Sequence, residues 1–350
     1  MSKSGGKVGR FRSGCGCAGI DVHCHVVPSS FPPAPGRMPM AGWPSMTAVK
    51  DCHATVVIDD KPYRTVSDAC WVAERRIEEM DRAGIAVQAL SPMPELFGYW
   101  LVSGPAFDLV RHVNDVIAAL VQEGQGRFVG LGGLPMQDLD LAIAELQRTM
   151  QIPGFCGVEI GSNINGVPIG DPRFHPLFAE AERLGAAVFV HAVRPAGMDR
   201  LVGPAPLQQV LAYPTDIGLA AASVITGGLL QKFPKLRIAF SHGGGTFAAL
   251  LPRLEQGYHT FPVVRDSLPE TPLAQARKLY VDALVFDTEM LKRIVSVFGE
   301  DRVMLGTDYP FNFREKEPVS RIEQTFADAG LRERLTFRNA LAFLALEEET

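Results

Sequence analysis

His23 and His25 flank Cys24 in the stretch GIDVHCHVVP, residues 19–28. In a strand this spacing puts both imidazoles on one face, because side chains at i and i+2 point the same way. Asp21 falls on that face one step earlier. Two imidazoles so close can share one metal ion, although an H-x-H pair alone is a weak signal. The signal strengthens further along the chain. His191 closes the run AAVFVHA, His242 follows the apolar part of RIAFSHGGG, and Asp308 closes RVMLGTDYP. Four of the chain's eight histidines, with one acid, thus stand at the C-terminal ends of strand-like runs. Neutral imidazoles and a carboxylate suit Zn²⁺ and similar first-row ions. Three histidines, the aspartate and a water would make an open site, where the ion lowers the pKa of the water toward about 7. The remaining histidine would move protons. His242 takes that role here, since the glycines after it leave room for a substrate beside the ring. Cys24 points away from the others and reads as a packing residue. His53, His112, His175 and His259 lie in an insertion, inside a helical segment or at helix ends, and read as surface or packing residues.

Such residues need a frame that gathers strand ends at one place. From residue 84 onward, apolar runs alternate with amphipathic segments of helical spacing. The runs are AVQALSP, FVGLGGLP, CGVEIGS, AAVFVHA, RIAFSHGGG, LYVDALV and RVMLGTDYP, and the segments include DLDLAIAELQRTM, HPLFAEAERLG and TEMLKRIVSVFG. With GIDVHCH this makes eight strands, whose continuous Val/Ile/Leu content fits parallel strands covered on both faces. Eight βα units in series predict an α/β fold, the (β/α)8 TIM barrel, whose reactive groups sit at strand C-termini. The alternative, an open doubly wound sheet, lacks support, because no G-x-G-x-x-G follows the first strand. Residues 26–70 break the rhythm with SSFPPAPGRMPMAGWP and the short β-like pieces ATVVID and PYRTV. This is too long for a plain βα loop. It predicts an insertion between strand 1 and helix 1, a small hairpin lid at the barrel mouth.

Composition narrows the class. The 350 residues are 47% hydrophobic, enough for one large core, and a net charge of −5 offers no basic footprint for nucleic acid. No apolar run is long enough to span a bilayer. Residues 1–18 carry Lys3, Lys7, Arg10 and Arg12 without an acid or the apolar stretch of a signal peptide, and read as a flexible tail before a catalytic domain over 19–350. Six irregularly spaced cysteines and no export signal predict reduced thiols and a cytoplasmic protein. A zinc knuckle from Cys15 and Cys17 with the nearby histidines fits none of the usual finger spacings.

The chain resembles the amidohydrolase superfamily. Within it, the similarity is to the decarboxylase branch that acts on 2-amino-3-carboxymuconate-6-semialdehyde and related acids. The resemblance runs from about Gly19 to Glu347. It rests on the histidine and aspartate positions above and on PYRTV, CWVAERRIEEMDRAGIAVQALSPMPELFGYW, RFVGLGGLPMQ, FPKLRIAFSHGGGTF, VDALVFD, VMLGTDYPF and NALAFLALE. It implies His23, His25, His191 and Asp308 as ligands of a divalent metal, zinc first, with manganese, cobalt or iron as alternatives. It implies His242 as the residue beside the metal-bound water, and Arg64 in PYRTV as the group that binds a substrate carboxylate. A second arginine, Arg253 in LLPRLEQG, would reach into a neighbouring subunit, so the active form would be a homodimer. Arginine's planar fork suits carboxylate recognition.

The implied reaction is a redox-neutral decarboxylation of a small unsaturated or aromatic-derived carboxylic acid, with no organic cofactor. His242 would take a proton from metal-bound water; in a related route Asp308 delivers the proton instead. Hydrolysis or hydration of a lactone, amide or enol acid at the same centre is the alternative activity, and a silent barrel kept for binding is the third. Departures bear on the substrate. The branch's HPWD after the fifth strand is HAVRP here, which brings in Arg194; Tyr63 precedes Arg64 where phenylalanine is common; and Ile58 stands where some members carry lysine.

Overall fold

The computed structural model describes residues 10–11, 19–36, 40–50 and 52–348. Every apolar run named above becomes a barrel strand. They are β1 (Gly19–Val26), β2 (Ile85–Pro92), β3 (Phe128–Gly132), β4 (Phe155–Gly161), β5 (Ala187–His191), β6 (Arg237–Phe240), β7 (Tyr280–Asp282) and β8 (Val303–Met304). All are parallel and lie in sequential order in one eight-stranded sheet. Its two edges meet. Val22 N–H donates to the Leu305 carbonyl at 3.1 Å and His25 N–H to the Tyr309 carbonyl at 2.7 Å. The sheet is a closed barrel, which excludes the open doubly wound alternative.

Helices follow the strands: α1 (Ala73–Ala83), α2 (Ser103–Glu123), α3 (Leu139–Thr149), α4 (His175–Leu184), α5 (Tyr213–Thr226), α6 (Phe247–Thr260), α7 (Thr288–Phe298) and α8 (Pro318–Thr325). Asp138 and Asp287 cap α3 and α7 by accepting the backbone N–H of Leu141 and Met290, which satisfies donors a helix start leaves open. Strand alternation divides the core in two. Val22, Val87, Leu131, Phe189 and Met304 fill the lumen, which Phe343 closes from below. Val158, Val190, Phe240 and Val281 pack outward against the helices.

The insertion departs from the expected hairpin. It is a three-stranded antiparallel sheet of Pro44–Lys50, His53–Ile58 and Lys61–Ser67. Asp59 and Asp60, with φ of 53° and 58°, form the two-residue turn between its last two strands, the geometry that tight hairpins require. The first strand is largely exposed, so PSMTAVK carries no alternation by which to recognise it.

A second correction concerns Asp21. Its carboxylate does not share the side of the two histidines. It accepts the Thr307 hydroxyl at 2.6 Å and lies beside Glu79, Arg82 and Gln88 between the barrel and α1. The pairing of β1 with β2 slips between Asp21 and Cys24, and this bulge resets the alternation so that Val22, His23 and His25 can all face inward. The expected flexible tail and the Cys15–Cys17 knuckle fall outside the described residues, except that the backbone of Arg10–Phe11 pairs in parallel with Glu347–Glu348. Cys24, Cys70 and Cys156 are buried thiols without a disulfide. Among the described residues, no helix is long and apolar enough to cross a membrane.

Candidate metal centre

Four side chains meet at the C-terminal mouth of the barrel. One ligand atom each from His23, His25, His191 and Asp308 lies within 4.8 Å of the others. His23 and His25 come from the end of β1 and His191 is the last residue of β5. Asp308 lies past the short β8, in a left-handed turn with φ of 67°. Its N–H donates to the His23 carbonyl at 2.9 Å, and its Oδ1 reaches to 2.9 Å from His25 Nε2.

The three imidazoles are oriented alike. His23 Nδ1 is 2.7 Å from Asp282 Oδ2, His25 Nδ1 is 3.1 Å from the Pro92 carbonyl, and His191 Nδ1 is 2.8 Å from the Ala192 carbonyl. Each Nδ1 faces an acceptor and so carries a proton, which turns each Nε2 toward the centre as the atom that can offer a lone pair to a cation. His23 Nε2 and His25 Nε2 face each other 3.2 Å apart. His191 Nε2 and Asp308 Oδ1 are buried without a hydrogen-bond partner. Buried polar atoms left this way are costly unless something binds them. Three such nitrogens and a carboxylate fit a first-row divalent cation.

Electrostatics agree with one shared charge. Burial lowers the His23 imidazole, but the hydrogen bond and charge of Asp282, with Asp308 and Glu159 behind them, raise it to about 9. Burial followed by the charges of His25 and His23 holds His191 well below its usual range. Burial, then the His23 charge, draws His242 down to about 4. Without an ion the cluster therefore takes up one proton, at His23, while His191 and His242 stay neutral.

His242 sits beside this group without joining it. It follows β6 in a left-handed conformation, φ 55°, and its ring centroid is 5.0 Å from that of His191. Its Nδ1 is 3.1 Å from the Ser241 hydroxyl, so Nε2 is the nitrogen left to a bound molecule. A cleft opens above, lined by His191, His242, Asp308, Arg64 and Phe311 among others. Arg64, from the last strand of the insertion, lies 4.2 Å above the Phe311 ring, which itself stacks on His25 at 5.2 Å. The inserted sheet thus delivers a guanidinium to the metal centre. Arg253 is exposed on α6 and does not line the cleft of its own chain. His112, His175 and His259 stand away from the centre, bonded to Ser30, Lys232 and Glu255.

Three supporting residues escaped the sequence reading. Asp282 ends β7; besides His23 it accepts the backbone N–H of His242 at 3.0 Å and of Gly243 at 2.7 Å. Burial raises its carboxyl, but the hydrogen bond and charge of His23 hold it below the usual carboxylate range. An inventory of acids at all eight strand ends would have found it in LYVDALV. Glu159 lies in the lumen 4.0 Å from His25 Nδ1, with neither oxygen hydrogen-bonded, and burial pushes it far up. Arg76, fully buried in α1, donates to the His25 carbonyl and to Gln88 Oε1. No local pattern marked those two.

A family model described as Amidohydrolase matches residues 20–346. The chain is 40% identical over 334 residues to the 2-amino-3-carboxymuconate-6-semialdehyde decarboxylase of Dictyostelium discoideum, covering 94% of this chain and 92% of that protein. Among solved structures, the IDCase of Metarhizium anisopliae in apo form superposes with a TM-score of 0.80 at 21% identity, covering 95% of this chain and 98% of that one. A dihydroxybenzoic acid decarboxylase from Polaromonas sp. JS666, solved with bound manganese and 2-nitroresorcinol, superposes with a TM-score of 0.68 at 24% identity, covering 78% and 86%.

Proposed function

The chain belongs to the amidohydrolase family, and we propose that it is a metal-dependent carboxy-lyase that decarboxylates 2-amino-3-carboxymuconate-6-semialdehyde or a closely related unsaturated acid. The observation that carries this reading is the donor set. Three Nε2 lone pairs and one carboxylate converge at the floor of a cleft whose wall holds a guanidinium. His23, His25, His191 and Asp308 would hold one divalent ion, with zinc as the proposed metal for a set of three nitrogens and one oxygen. The ion supplies Lewis acidity where negative charge develops.

The chain's own groups do the rest. Arg64 binds a substrate carboxylate through charge-assisted hydrogen bonds. The aromatic rings of Phe311 and Phe313 flank the cleft and hold an unsaturated frame so that the breaking C–C bond stands across its π-system, a positioning effect. As carbon dioxide leaves, the bonding pair passes into that system, and the vacated carbon takes up a proton. The proton comes from water, and His242 Nε2 is the group placed to pass it to that carbon, while Asp282 fixes the backbone on which His242 turns. No electron is gained or lost overall, so no organic redox partner enters.

Arg253 belongs to this proposal as the residue offered to a second copy in a homodimer, since it is exposed and does not line its own cleft. Buried, unpaired thiols fit a reducing compartment such as the cytoplasm. The experiment is an assay of purified, zinc-supplemented protein with 2-amino-3-carboxymuconate-6-semialdehyde. Release of carbon dioxide with loss of the substrate's absorbance is expected. Turnover of lactones without gas release would replace the decarboxylase reading with a hydrolase.

A further inference from the structure

The mechanism above leaves one carboxylate of the cleft without a task. Glu95 stands in the short turn Pro94–Phe97 after β2 and lines the cleft with Arg64, Tyr213 and His191. It is half-buried. It accepts a hydrogen bond from the Tyr213 hydroxyl to Oε1 at 2.9 Å, and the Tyr63 hydroxyl is a second partner. Arg64 feels its charge but makes no ion pair with it. A carboxylate offers about four acceptor positions, so two phenols leave acceptor capacity for whatever fills the cleft. The tyrosines beside it reinforce this polarity. Burial and then the Glu95 charge push the phenols of Tyr63 and Tyr213 upward, so both stay neutral.

The cleft therefore carries a cationic group on one wall and an anionic acceptor on another, with aromatic surface at Phe311 and Phe313. Its complement is a flat acid whose carboxylate meets Arg64 and which bears a donor for Glu95. We propose that Glu95 is a specificity-determining residue that accepts a hydrogen bond from an amino group on the substrate. This deepens, and rests on, the decarboxylase reading of the same site. An analogue without the amine leaves an acceptor position of this half-buried carboxylate unmet, and a second carboxylate at that place is repelled; both discriminate.

The test is binding, which needs no turnover. Dissociation constants of benzoate, the three aminobenzoates and 3-hydroxybenzoate are measured calorimetrically on the zinc-loaded full chain, its Glu95→Gln variant and its Tyr213→Phe variant. In the parent protein the best aminobenzoate is expected to bind roughly ten- to a hundredfold tighter than benzoate, the range of a hydrogen bond to a charged group. Glu95→Gln keeps the Tyr213 bond through its carbonyl but turns an NH2 to the cleft, and should bring that ratio to about one. Tyr213→Phe should retain most of it. Equal binding of all the acids, a preference that survives in Glu95→Gln, or one lost equally in Tyr213→Phe overturns the inference. A preference for 3-hydroxybenzoate alone overturns the amine. Carbon dioxide release without amine preference refutes this inference and spares the decarboxylase reading. Glu95-dependent preference with no carbon dioxide release does the reverse.

Discussion

At the residue scale, the account separates holding the ion from moving the proton. His191 offers a partnerless buried Nε2 to the metal centre, whereas His242 stands at its edge with Nδ1 at Ser241. His191→Ala should therefore lose bound metal and activity together. His242→Ala should keep its metal and lose about 10²- to 10⁴-fold in kcat, the usual weight of a general acid–base group. Metal analysis of both variants beside their steady-state kinetics checks this, and a metal-free His242→Ala protein would reverse the assignment. Most of the centre was legible in the sequence because histidines at strand C-termini are rare and chemically conspicuous. Asp282, Glu159 and Arg76 were not. They act on His23 and His25 from across the barrel or behind it, and long-range contacts of that kind leave no spacing in the chain. Asp21 was misplaced for a related reason: a bulge resets alternation without a residue type to announce it.

At the element scale, strand ends position everything, and their close approach has a sequence requirement at Gly306. A Cβ there would lie 2.7 Å from the Cβ of Asp282 and 3.0 Å from that of His23, the two residues whose hydrogen bond orients the first ligand. Gly306→Ala is expected to cost about 1–3 kcal/mol, the range for overpacking a filled core, and to lower metal affinity at the same time. Denaturant melts and metal titration of the variant test it; an unchanged metal affinity would show that Asp282 and His23 can part without consequence. The eight strands and the three quoted helical segments were readable because buried parallel strands and amphipathic helices impose strong, different periods. Three boundaries were less so. His242 and Asp308 lie just past their strands in left-handed turns, and the first strand of the insertion is too exposed to show a pattern.

At the scale of the whole molecule, one chain carries a metal centre with one guanidinium in its cleft and a second arginine facing outward. If Arg253 serves the neighbouring subunit, co-expressing Arg253→Ala with His191→Ala should restore part of the activity that each lacks alone, because one mixed site is then complete. No recovery in verified mixed dimers would confine Arg253 to the surface. The large core also has a signature in alkali. Burial pushes Cys70 and Cys156 up to about 12 from an ordinary 9.0. Above pH 9 the unfolded chain loses these protons and the folded chain keeps them, so stability falls as pH rises from 9 toward 12, by up to about 1.4 kcal/mol per pH unit for each thiol. Urea midpoints measured from pH 8 to 11 should decline, and less steeply in a Cys70→Ala, Cys156→Ala double variant; parallel declines would assign the loss to other groups. The central claim, that one divalent ion at four converging side chains makes the barrel a decarboxylase, is tested most directly by stripping the protein with a chelator and adding zinc back while following carbon dioxide release. The account predicts no release from the stripped protein, a linear return, and a plateau at one zinc per chain; full activity without metal, or none with one zinc bound, would contradict it.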